Sequence, residues 1–353
     1  MNGRDFAGIV VRAPRSSSRI QVGDVVCGPS TDYRDVRKAA YQEYLVTSDF
    51  NVARIPAATT VKNGAAIGVA FVAAVMALGV SLGLDLSRLK DAPRGPDLYD
   101  LVRRINRRHI QEDVRAEVYD SMPESERPRP GDWLTIWGGS SATAIFAIQL
   151  AKRAGMRVIA VADVVKHGSR LYDLGADVLV DRLDEARAVE IIRSVTGGRL
   201  RFAIDASSKE SATLLQDALQ QSDHGQQSHL LGLTGLPKQK PISVVHHTIP
   251  IKIFHDSAMV GETVMEWLEE LLLSKSLEGP EIEVAEGGLA GVNAALDRLR
   301  NGKVGAKRIV VPVGDSYEPK PSQPNGGPNI DDIDDEDGPV SYTHLTLPTI
   351  YSV

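Results

Sequence analysis

A doubly wound parallel α/β domain set beside a shorter β-rich part is the fold class that this 353-residue sequence predicts. Three observations carry it. Residues 131–163 (GDWLTIWGGSSATAIFAIQLAKRAGMRVIAVAD) read as strand, small-residue turn, helix and strand, which is one βαβ unit. Apolar runs at 178–181, 202–206, 229–234 and 250–255 repeat the strand signal downstream. Shorter strand signals at 4–11, 21–27 and 41–46, broken by a polar loop and by Gly23-Asp24, put β-structure ahead of the α/β part.

Composition narrows the class. Hydrophobic content of 42% and charge of 24% are those of a soluble globular protein, and the length allows one or two domains. The net charge is −6, but Asp331, Asp332, Asp334, Asp335, Glu336 and Asp337 account for six of the 46 acids, leaving 40 against 40 bases. A near-neutral folded part gives no argument for nucleic acid or an anionic membrane. Cys27 is the one cysteine, so an internal disulfide and a thiolate metal cluster are excluded and a reducing, cytoplasmic setting is expected. The opening residues lack the apolar core of a signal peptide. Residues 63–84 (NGAAIGVAFVAAVMALGVSLGL) carry no charge over a membrane-spanning length, yet they are rich in Ala and Gly, which favours a tightly packed interior helix over a span.

The element at the centre is the turn after the first α/β strand. Gly138, Gly139, Ser140, Ser141, Ala142, Thr143 and Ala144 are small, and an amphipathic helix follows until Gly155. Such a turn lets backbone amides approach a pyrophosphate at a helix N-terminus. The usual G-x-G-x-x-G is replaced by Gly138, Ser141 and Ala144, so the turn alone fits a dinucleotide site and a purely structural βα turn equally.

Flanking motifs in order weigh on that choice. Gly3-x-Asp5-Phe6-Ala7-Gly8, Val22-Gly23-Asp24-x-Val26, Tyr41-x-Glu43-Tyr44-x-Val46, Ala53-x-Ile55-Pro56, the Ala-rich helix and Ala147-Ile148-Gln149-Leu150-Ala151-Lys152 follow one another. Together they resemble the medium-chain dehydrogenase/reductase superfamily, nearest its zinc-free quinone oxidoreductase and enoyl reductase branch, including fungal trans-acting enoyl reductases of polyketide synthesis. The resemblance covers roughly residues 3–313. It implies a Rossmann cofactor domain at 67–256 with an insertion at 85–129, and a partial GroES-like catalytic domain at 1–66 and 257–314. Zinc-dependent members carry Gly-His-Glu where this chain has Gly3, Arg4 and Asp5, so a catalytic zinc is not expected. Family members also have a further β-rich half domain ahead of this point. A truncated chain or an impaired enzyme is therefore expected.

Within that frame each later segment receives a role. Residues 85–129 alternate Arg103, Arg104, Arg107, Arg108 and His109 with Leu101, Val102, Ile105 and Ile110, as in a basic amphipathic helix that is either a solvated face or a docking site for an acidic partner. Asp163 closes the second α/β strand, where an acid accepts ribose hydroxyls and favours NAD. Lys166, His167 and Arg170 follow it and would hold a 2′-phosphate, so NADPH is expected ahead of NADH, against the bland reading of a solvated helix start. Gly232, Leu233, Ile253 and Phe254 fall on the fifth and sixth strands as nicotinamide-side contacts or plain core, and Lys307 matches a position whose amine often reaches cofactor phosphates, or is a surface lysine.

His246 and His247 are adjacent in a strand, point to opposite faces, and read as satisfied structural histidines. His255, Tyr41 and Tyr44 are the substitutes for a proton donor that the sequence does not otherwise supply. The resemblance implies reduction of an activated double bond in a small molecule or acyl thioester, with a polyketide synthase or acyl carrier as partner, by a monomer or homodimer. The alternative is a catalytically impaired cofactor-binding homologue docking on a partner.

From residue 315 the chain changes. Pro319, Pro321, Pro324, Gly326, Gly327 and Pro328 precede the acidic run, a composition expected to be disordered, and 341–353 (SYTHLTLPTIYSV) reads as adapter-like sequence expected to add nothing to the fold.

Overall fold

The computed structural model describes residues 3–14, 18–32, 34–220, 225–313 and 344–352. Its N-terminal strands β1 (Asp5–Ile9) and β2 (Val25–Pro29) are antiparallel, and β3 (Tyr44–Ser48) and β4 (Ala53–Arg54) follow. The Ala-rich segment is helical as expected but in pieces: α1 (Val61–Gly64), α2 (Gly68–Met76) and a π-helical turn over Ala77–Ser81. It lies in the interior, with Phe71 set edge-on to Phe146 at 5.8 Å. Its small residues are what let it lie there. A Cβ at Gly68 would stand 2.5 Å from the Gly28 carbonyl carbon of β2. Among the described residues no helix is long and apolar enough to cross a membrane.

Residues 85–129 do not form one basic helix. They give α3 (Leu98–Arg103), a 3-10 turn over Arg107–His109 and α4 (Glu112–Tyr119). Asn106 breaks the pattern, because its side chain accepts the Arg108 amide and caps the turn. Arg103 lies on the Tyr99 ring at 3.3 Å and donates to two backbone carbonyls, while Arg107 is paired with Asp120 at 2.6 Å. The segment holds ten acids and ten bases, so its formal charge sums to zero.

The α/β part then runs β5 (Trp133–Trp137), α5 (Ala142–Arg153), β6 (Arg157–Ala162), α6 (Val164–Asp173), β7 (Val178–Asp181), α7 (Glu185–Thr196), β8 (Phe202–Asp205), α8 (Lys209–Ala218), β9 (Ser228–Gly232) and β10 (Val244–His247). The six strands are parallel in the order β10-β9-β8-β5-β6-β7. Counted from β5 this is 6-5-4-1-2-3, the doubly wound order, and the winding reverses between β5 and β8.

The expected sixth strand at 250–255 is instead α9 (Ile251–Asp256), and β10 takes its place in the sheet. The alternation Ile251, Lys252, Ile253 imitates a strand. Ile253, Phe254 and His255 are buried in succession, however, which suits a short helix wedged between layers and not a one-faced strand.

After α10 (Ala258–Leu273) the chain returns to the first sheet through β11 (Glu281–Val284), α11 (Gly288–Arg300) and β12 (Lys307–Pro312). The proline-rich and acidic stretch, and the disorder expected of it, lie outside the described residues. The last nine described residues correct an expectation. β13 (His344–Ser352) enters the sheet β11-β12-β13-β1-β2-β4 between β12 and β1, antiparallel to both, and also pairs with β3. Its Leu, Thr, Ile and Tyr content has the β-propensity to fill that slot.

Candidate cofactor-binding site

The small-residue turn sits where the winding of the parallel sheet reverses. Gly138, immediately after β5, has φ 79°, a left-handed conformation that favours glycine. A Cβ there would lie 3.2 Å from the Ala206 carbonyl carbon and 3.3 Å from Ser207, so a side chain would close the crevice between β5 and β8. A Cβ at Gly139 would press on Ala160 at 3.1 Å. Both glycine amides donate to the Val161 carbonyl at 3.0 Å, which pins the turn onto β6.

Ser141 is the N-cap of α5, its Oγ accepting the Ala144 amide at 3.3 Å. Its own amide donates to the Gly138 carbonyl at 2.9 Å. The amides of Ala142 and Thr143 stand in the first helical turn, where helix geometry provides no acceptor, and the macrodipole adds partial positive charge. Ser140, Ser141, Ala142 and Thr143 are half-buried. A pyrophosphate fits this arrangement in chemistry, in charge and in the room left by two absent side chains.

Across the carboxyl edge, Asp205 ends β8, accepts the amides of Ser207 and Ser208 at 2.9 and 3.0 Å, and keeps its Oδ2 buried without a hydrogen bond. Burial raises its pKa. Leu233 follows β9 and donates its amide to the Asp205 carbonyl at 2.8 Å, so it does lie at this edge. Phe254 does not lie on a strand edge. It is fully buried in α9, and its carbonyl accepts the Asn51 side chain at 2.8 Å.

The ribose-side residues come together but are mutually engaged. Asp163 caps α6 by accepting the Lys166 amide, and its Oδ2 is 2.6 Å from Lys166 Nζ. The Lys166 hydrogen bond holds the Asp163 carboxyl below the usual range. His167 is half-buried one residue on. Arg170 is turned away: it donates to the Gly279 carbonyl at 2.7 Å and pairs with Glu281 at 3.1 Å. Lys307 meets the other oxygen of Glu281 at 3.5 Å, so a β11 carboxylate stands between two cations assigned to phosphate. Glu281 was not legible as their partner, since nothing in sequence spacing links it to either.

His255 faces the first sheet, its Nε2 2.7 Å from Thr31 Oγ1, beside Arg34, which bridges Asp32 and Asp256. Burial pushes its pKa down to about 4. Tyr44 is exposed at the start of β3, and Tyr41 packs half-buried against the β-rich core. His246 and His247 do point to opposite faces, the first to Gln216 at 2.6 Å and the second to His229 at 2.9 Å.

Residues 142–271 match the zinc-binding dehydrogenase family. Over 331 residues the chain is 25% identical to a zinc-type alcohol dehydrogenase-like protein of Schizosaccharomyces pombe, covering 88% of this chain and 84% of that protein. It is 26% identical over 329 residues to the trans-enoyl reductase resD of Aspergillus sclerotiorum, covering 87% and 84%. The family match and these relatives support a zinc-free medium-chain dehydrogenase/reductase of the enoyl and quinone reductase branch. The trans-enoyl reductases among them indicate an enzyme of the medium-chain type.

Solved medium-chain structures share the fold. A structure from Bacillus thuringiensis that carries the name NADPH:quinone reductase superposes with a TM-score of 0.57 at 20% identity over 84% of this chain and 76% of that one. A mycobacterial protein complexed with NADPH superposes with a TM-score of 0.60 at 16% identity over 88% and 81%. That neighbour holds a nicotinamide cofactor, and in this chain the turn after β5 stands at the reversal point of the sheet, the place where doubly wound folds receive one.

Proposed function

We propose that this chain reduces an activated carbon-carbon double bond, in an enone, a quinone or an enoyl thioester, by hydride transfer from NADPH and without zinc. The observation that carries the reading is the left-handed Gly138 turn with open α5 amides at the reversal point of the sheet. The trans-enoyl reductases among its relatives support the substrate class, and with an enoyl thioester the implied partner is an acyl carrier or polyketide synthase.

When bound, the reduced nicotinamide supplies the hydride. The chain's own part is placement. The amides of Ala142 and Thr143 bind the pyrophosphate, Asp163 accepts a ribose hydroxyl, and Lys166 turns from Asp163 to a 2′-phosphate. Arg170 and Lys307 stay with Glu281. The donor set supports zinc independence. Asp5 is committed to the Val69 amide and Arg308, the buried Cys27 thiol is pushed up to about 12, and among the described residues no three His, Cys, Asp or Glu side chains gather as a metal site.

A second reading, a cofactor-binding homologue with impaired turnover, is favoured by one observation. His255 is neutral at physiological pH and so is no imidazolium acid. One experiment separates the two. Purified protein is mixed with NADPH and a panel of quinones and enoyl thioesters while the absorbance of reduced cofactor is followed. Oxidation with any acceptor supports the reductase. Binding without turnover on the whole panel supports the second reading, and no binding at all refutes both.

A further inference from the structure

Residues 85–129 lie against the β9–β10 edge of the parallel sheet, and a buried chain of four side chains joins the two. His229 Nδ1 is 2.9 Å from His247 Nε2, and His247 Nδ1 is 2.8 Å from Glu117 Oε1 of α4. The other Glu117 oxygen accepts the Thr248 amide at 3.3 Å. At the far end Glu126, on the 3-10 turn Glu124–Glu126, pairs with Arg201, and its Oε2 stands 3.8 Å from His229 Nε2. Both imidazoles are 0% exposed, and Phe202 stacks on His229 at 5.5 Å.

The tautomers follow from donor arithmetic. The Glu117 carboxylate only accepts, so His247 carries a proton on Nδ1, and the latch requires its Nε2 to be the acceptor. His229 must then donate from Nδ1, and its own Nε2 becomes a lone pair. That atom is buried without a hydrogen-bond partner. It is the one open basic position in the chain of four, and the carboxylate facing it is already committed to a guanidinium. A proton there would create an imidazolium sealed from water between two rings and beside Arg201. Burial first, then His247 and Arg201, push His229 down to about 3.

We propose that Glu117–His247–His229–Glu126 is an acid-sensitive latch, which holds residues 112–126 on the cofactor sheet while His229 is neutral and releases them when His229 takes a proton from solvent. The groups facing the pair are Glu117, Glu126, Arg201 and the Thr248 amide. Release also reaches the carboxyl edge, because the Thr248 carbonyl is held by Ser81 Oγ at 2.8 Å. The inference rests on these contacts alone and not on the reductase reading.

The sign is fixed by linkage. His229 is depressed when latched and returns to about 6.5 when open, so the latch is fully engaged above pH 6.5 and weakens as pH falls. One proton raises the opening constant roughly 25-fold between pH 7 and pH 5. Hydrogen exchange of the full chain, corrected for intrinsic rates, reads this directly. Amides of α4 are expected to lose about 25-fold protection relative to β5 and β6 over that range. In His229→Asn the side-chain amide still donates to His247 but has no titrating lone pair, and the loss should vanish. Nitrogen NMR of the wild-type protein, which needs no variant, should show His229 as a neutral Nδ1–H tautomer at pH 7. Unchanged α4 protection in the wild type, an equal loss in His229→Asn, or His229 protonated or Nε2–H at pH 7 would overturn the latch.

Discussion

Ser141 holds two places at once, the N-cap of α5 and the rim of the phosphate turn. Aspartate caps a helix as well as serine does, so Ser141→Asp should leave the melting temperature nearly unchanged while setting a carboxylate against the pyrophosphate. Dinucleotide affinity, read by fluorescence titration, should fall by about tenfold or more. An unchanged dissociation constant would remove this turn from the site. Lys166 and Arg170 make a sharper contrast. Because Lys166 is held only by its neighbour Asp163 while Arg170 spans to Gly279 and Glu281, Lys166→Ala should weaken NADPH more than NADH. Arg170→Ala should weaken both equally or neither. Equal losses for Lys166→Ala would make it a solvated residue. At this scale the turn was legible, since small residues between a strand and a helix permit the left-handed backbone and the close approach that such a turn needs. The ion pairs were not, because Glu281 reaches Arg170 and Lys307 only through the fold.

Short elements were where period and structure diverged. The helical and strand signals at 131–163 agree with β5, α5 and β6 because caps, apolar period and turn all point one way. At 250–255 the pattern is too short to discriminate, and burial from three sides selects the helix α9. That helix carries a pH prediction. His255 is depressed to about 4 in the fold against 6.5 unfolded, so its contribution to stability is present above pH 6.5 and is lost as pH falls toward 4. In chemical denaturation at a series of pH values, His255→Asn should lose one proton's worth of slope, about 1.4 kcal/mol per pH unit, relative to the wild type between those limits. Identical slopes would show that His255 titrates freely in the native state.

For the whole molecule, the doubly wound order and the resemblance to a reductase superfamily were both legible, since each rests on many segments in series. The closing of the first sheet was not. β13 has no partner near it in sequence, and its place between β1 and β12 follows from two strand edges left open by everything before it. A chain ending after Val313 should therefore expose both edges and elute from size exclusion as higher oligomers or aggregate, whereas the complete chain should not. A truncated chain as well behaved as the full one would show that the slot needs no strand.

That same pairing orders events in time. Asp5 faces Ser352 across the sheet, so β1 cannot gain this neighbour until about 340 further residues have been made. The β5–β10 sheet draws on contacts within one continuous stretch and can mature on the ribosome, while β1 waits as an open edge. Between the synthesis of β1 and that of β13 the nascent chain is thus exposed to edge-to-edge association, and a helper that shields extended backbone would act on the free edge of β1.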